Sequence, residues 1–130
     1  MSGGVTKMET RTPAVNRLIL LWQSLQGMIN NELARLPEWE VVSRVHGYTY
    51  DTVRLRGETL IGQGPTPTLV VRFKLVRSAD NVATPVMPRP IKLYFGSHGP
   101  VYKFGEHAFA PEMVARLAAI YIANGLNGTD

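Results

Sequence analysis

No cysteine occurs anywhere in the 130 residues. Disulfides, thiolate metal sites and a cysteine nucleophile are therefore excluded. Long hydrophobic runs are missing too. The longest early one, Leu18 to Trp22, falls far short of the about 20 residues that span a bilayer. The N-terminal Met-Ser-Gly-Gly-Val-Thr-Lys lacks the apolar stretch of a signal peptide. These absences lead us to expect a soluble, cytoplasmic protein that does not engage membranes. The glycines form no phosphate loop, because Gly57, Gly62 and Gly64 lack the accompanying lysine and hydroxyl residue. No serine sits in a Gly-x-Ser-x-Gly elbow.

What remains has an ordinary globular balance. Hydrophobic residues make up 45% and charged residues 18%, which argues against a disordered chain. A chain of this length reads as one domain, 1–130, with loose tails at 1–11 and 126–130. It can bury enough surface to fold without a metal or a cross-link. The formal net charge is +4. That excess allows attraction to nucleic acid, nucleotides or an acidic protein surface, but the placement of the charges decides.

Thr12-Pro13 reads as a helix start, with threonine as cap and proline in the first turn. Leu18, Leu21, Trp22, Leu25, Ile29, Leu33 and Leu36 recur in steps of three and four and define one helical face, widened by Ile19, Leu20 and Met28. Pro37 ends that helix. Gly27 marks a close crossing, a kink or a break. Trp39 to Val45 alternates and is rich in β-branched residues, so a strand is predicted there, turning at His46-Gly47 into a second strand from Tyr48 to Arg56. Gly57 to Pro67 is a loop. Thr68 to Arg77 alternates most clearly, with Leu69, Val71, Phe73 and Leu75 on one side and Arg72 and Lys74 on the other.

Ser78 to Pro90 carries prolines and no period, and reads as a long loop. Ile91 to Phe95 and Val101 to Phe104 are two further strands joined through Gly96–Pro100. Pro111 opens a final helix that stops at Asn124-Gly125. That helix is apolar nearly all round, as expected of one buried on several sides or held in a subunit contact. The predicted fold is α+β: a two-layer arrangement with an antiparallel four- to five-stranded sheet and an N-terminal and a C-terminal helix on one face.

The residues with the most chemical promise are cations on strands. A hairpin that brings Arg56 near Thr68 and Arg54 near Val70 puts Arg54, Arg56, Arg72 and Lys74 on one face. Lys92 and Tyr94 join them from the strand starting at Ile91. Cations with an interleaved aromatic on an open sheet bind phosphates and stack bases. The plainer reading is a solvated outer face. Tyr48 and Tyr50 do not belong there: a two-residue turn at His46-Gly47 sets them inward and sends Arg54 inward as well. Val53 and Leu55 also favour the core, and a bulge near Asp51-Thr52 would reconcile the conflict.

His98, Glu106 and His107, with Lys103, are the one enzyme-like set. Two histidines and a lysine can in principle drive metal-independent phosphodiester cleavage, but the spacing follows no catalytic template, and turn or surface histidines explain it as well. The same residues lack the tight spacing of zinc ligands. No catalytic residue, metal ligand or cofactor is assigned. The expected function is a non-enzymatic binding module whose basic sheet face, Arg54, Arg56, Arg72, Lys74, Lys92 and Tyr94, holds nucleic acid or a phosphorylated small molecule. The alternative is a protein-docking accessory or inhibitor working through apolar helices or loops, with a homodimer among its forms. A metal-independent nuclease is the third reading.

Overall fold

The structure, a computed structural model, describes residues 13–54, 68–86 and 89–126. Helix α1 spans Pro13–Ala34. Leu18, Trp22, Leu25, Ile29 and Leu33 are buried at the expected helical spacing. Each such side chain contributes roughly 1.5–3 kcal/mol by leaving water. The helix runs unbroken through Gly27, where an added Cβ would meet nothing within 4 Å, so no close crossing requires that glycine. Thr12, the expected cap, lies outside the described residues.

The segment expected as a first strand is helical. Helix α2, Pro37–Glu40, runs directly into a π-helical turn, Val41–Val45. Pro37 occupies the first turn, where proline is tolerated, and Glu38 and Glu40 sit at the positive helix end. Trp39 and Val42 face inward three residues apart, while Val41 and Val45 are exposed. That is helical spacing, and it overrides the β-branched composition. His46 and Gly47 therefore join a helix to a strand and form no hairpin.

Among the described residues six strands follow: β1 Tyr48–Arg54, β2 Leu69–Arg77, β3 Ala83–Pro85, β4 Ile91–Gly96, β5 Gly99–Phe104 and β6 His107–Phe109. All pairings are antiparallel, in the order β1-β2-β4-β5-β6. Strand β3 lies in the segment expected to be a long loop. It pairs with the C-terminal half of β2, while β4 pairs with the N-terminal half of the same strand. Pro85 and Pro90 flank the gap between them. Proline cannot donate to a ladder, so one long partner strand is replaced by two short ones. Strand β6, also missed in the sequence, closes the far edge.

Helix α3 covers Pro111–Ala123. Val114, Ala115, Ala118, Ala119, Ile122 and Ala123 are buried; Met113, Ile120 and Tyr121 are exposed. It is thus buried on one side only, and carries an apolar stripe outward. Leu126 packs against the core and is not part of a loose tail. The core joins α1 and α3 to Leu69, Val71, Phe73 and Leu75 of β2 and Ile91 and Leu93 of β4. The described residues form a two-layer α+β fold with the N- and C-terminal helices on one sheet face. No helix among the described residues is long and apolar enough to cross a membrane.

Candidate functional site

Strand register decides which charges share a surface. On β1 the pairing runs without interruption from Tyr48↔Arg77 to Arg54↔Val71. There is no bulge at Asp51-Thr52. Tyr48 and Tyr50 pack against the core as expected, although the hairpin turn that was to set them inward is replaced by a helical segment. Tyr50 lies 5.8 Å from Phe73 and 6.2 Å from Trp39, ring to ring, and its hydroxyl donates to Asn30 Oδ1. The expected pairing of Arg54 with Val70 is off by one residue. In the observed register position 54 stands opposite Val71. Arg56 lies outside the described residues.

The outer face is built by β2, β4 and β5. Arg72 and Lys74 alternate with the buried β2 residues, and Lys92 and Tyr94 alternate with buried Ile91 and Leu93. Lys92 stands directly opposite Lys103 of β5 and, on its other side, opposite Val70. Sequence reasoning had placed Lys103 only beside the histidines. The β4–β5 register, set by the tight connection at Ser97-His98, brings it onto this face. Its ammonium lies 5.8 Å from the centre of the Tyr94 ring, a long cation–π contact. Two acids moderate the charge. Glu106 reaches Lys92 at 3.5 Å, and Asp51 is opposite Lys74. Beside Tyr94 a shallow hollow is lined by Thr68, Tyr94, Phe95, Gly96 and Ser97.

The histidines do not converge. His98 lies in the turn before β5, and Glu106 and His107 follow its far end. The strand between them separates the two sides by about 20 Å. A general acid and a general base cannot share one phosphate across that span. Among the described residues no group of histidine, aspartate and glutamate could hold a metal. No family model, curated protein or solved structure matches the chain.

Proposed function

We propose that the protein is a binding module whose outer sheet face holds the phosphate backbone of single-stranded nucleic acid. The observation that carries this reading is the direct cross-strand pairing of Lys92 with Lys103. Like charges opposite each other on a sheet cost about 0.2–1 kcal/mol. Here the relief comes from Glu106, a single, largely exposed carboxylate. A polyanion laid across β4 and β5 turns that repulsion into attraction, and Arg72 and Lys74 extend the track onto β2. The cations are spread over an open surface, which suits a chain of phosphates better than one enclosed phosphate group. Tyr94 is the aromatic available for stacking a base, so binding is led by phosphates and tolerant of sequence.

The test is a titration of labelled oligothymidylate at several salt concentrations, with wild type and a Lys92→Gln/Lys103→Gln variant. Wild type is expected to bind in the micromolar range at low salt. The variant loses two phosphate contacts, so its salt slope should fall by about 1.4 for a single strand. Removing the repulsion should also leave the variant at least as stable as wild type. Wild type that ignores the oligonucleotide at low salt, or a variant that binds with an unchanged slope, would defeat the proposal. The docking alternative draws support from the outward stripe of α3, Met113, Ile120 and Tyr121.

A further inference from the structure

On the opposite side of the sheet from the lysines, the β5–β6 edge and α3 enclose a groove of about 430 Å3. Its lining is Phe104, Phe109, Leu117 and Tyr121, with Arg89 and His107 as the polar members. Phe104 and Tyr121 lie 5.4 Å apart at 32°, and His107 lies against Phe109 at 6.4 Å. The result is an aromatic cleft within the 300–1,000 Å3 range usual for small-molecule sites.

The stem of Arg89 packs there. Its aliphatic stem crosses Gly105, where a Cβ would come within 2.8 Å of Arg89 Cδ. Gly105 has φ +67° and donates its N–H to the Pro90 carbonyl at 3.0 Å, so the β5–β6 turn and the approach to β4 are tied together beneath the arginine. Arg89 has no carboxylate partner among the described residues, whereas Arg35, Arg44, Arg77 and Arg116 all do. An arginine whose stem packs over a glycine beside an aromatic groove, and which has no carboxylate partner among the described residues, is complementary to one planar anion on an apolar body.

We propose that this groove binds a small amphipathic carboxylate, with the carboxylate on Arg89 and an aromatic or aliphatic tail between Phe104, Phe109, Leu117 and Tyr121. Arginine presents parallel N–H donors that match a carboxylate bidentately. One guanidinium balances one negative charge, which favours a carboxylate over a phosphate dianion. His107 adds a ring N–H donor beside it. The site is independent of the lysine face, since Lys92 and Lys103 project from the other side of the sheet.

The probe is 4-phenylbutyrate, compared with its neutral amide, on the full chain by amide chemical-shift mapping and titration. The acid is expected to shift the amides of Gly105, His107, Phe109, Leu117 and Tyr121 and to bind at least tenfold more tightly than the amide. Arg89→Gln, an exposed substitution that leaves the core alone, should bring the acid down to the affinity of the amide and leave the amide unchanged. Lys92→Gln/Lys103→Gln should leave both unchanged, which separates this site from the nucleic-acid reading. Equal binding of acid and amide, full affinity in Arg89→Gln, shifts confined to other surfaces, or no binding at millimolar acid would each overturn the proposal.

Discussion

Replacing Phe73 by alanine removes a ring that is 2% exposed at the centre of β2. The ring touches both layers of the fold, with Trp22 of α1 at 6.0 Å and Tyr50 of β1 at 5.8 Å. Losing a buried phenylalanine side chain costs about 3–5 kcal/mol once the residual cavity is included. Collapse of the site would reduce that loss, but the neighbours here are rings and β-branched residues fixed on a sheet and a long helix. The two aromatic contacts, each worth about 0.5–1.5 kcal/mol beyond burial, also place the loss toward the upper end of the range. A domain of this kind is stable by about 5–15 kcal/mol, so the variant should remain folded in water but unfold at much lower urea. The assay is equilibrium urea denaturation followed by tryptophan fluorescence, with Lys74→Ala beside it as a control on the opposite side of the strand. Phe73→Ala should shift the midpoint strongly at similar slope; Lys74→Ala should change stability by less than about 0.5 kcal/mol. A loss below about 1 kcal/mol for Phe73→Ala, or comparable losses for the two, would refute the assigned face of β2.

Gly105→Ala is expected to destabilise the fold by about 1–3 kcal/mol in the same assay, because φ +67° is strained for alanine and the new methyl meets Arg89. Gly125→Ala would set a Cβ 2.8 Å from Leu75 Cδ1 and 3.2 Å from the Ile122 carbonyl, and should cost about 1–3 kcal/mol through overpacking. Burial raises the pKa of Tyr50 above its ordinary 10.0, with Gln26 working against the shift, and burial reinforced by Glu112 raises that of Tyr102. The unfolded tyrosines therefore ionise first. Their contribution to stability is complete below pH 10 and declines as pH rises through the folded values. Urea midpoints across pH 9 to 12 should fall, and Tyr50→Phe/Tyr102→Phe should flatten that fall. Asp80 is held below the ordinary carboxylate range by its hydrogen bonds from Arg77, at 2.9 and 2.7 Å. An Asp80 carboxyl titrated by NMR should accordingly ionise below that range, and should return to it in Arg77→Gln.

Sequence by itself determined the class of the fold and its strongest elements. The 3.6-residue period of α1, the strict alternation of β2 and Pro111 at the head of α3 all follow from local pattern, because each pattern buries one face whatever lies opposite. The alternation of Lys92 and Tyr94 with buried Ile91 and Leu93 was legible for the same reason. What only the tertiary structure decided lies where a local pattern has two solutions. Trp39 to Val45 alternates like a strand, but a strand needs a ladder partner, whereas Trp39 and Val42 reach the core through a helix that starts at Pro37. Positions 48–54 alternate equally well in either register, and the observed pairing sets Arg54 opposite Val71 rather than Val70. Strand β3 hid in a proline-rich segment because its pairing is supplied by β2. Lys103, and the groove formed by Arg89, Phe104, His107, Leu117 and Tyr121, come together through cross-strand pairing and the docking of α3. Such long-range pairing is set by the whole sheet and leaves no periodic trace in the chain.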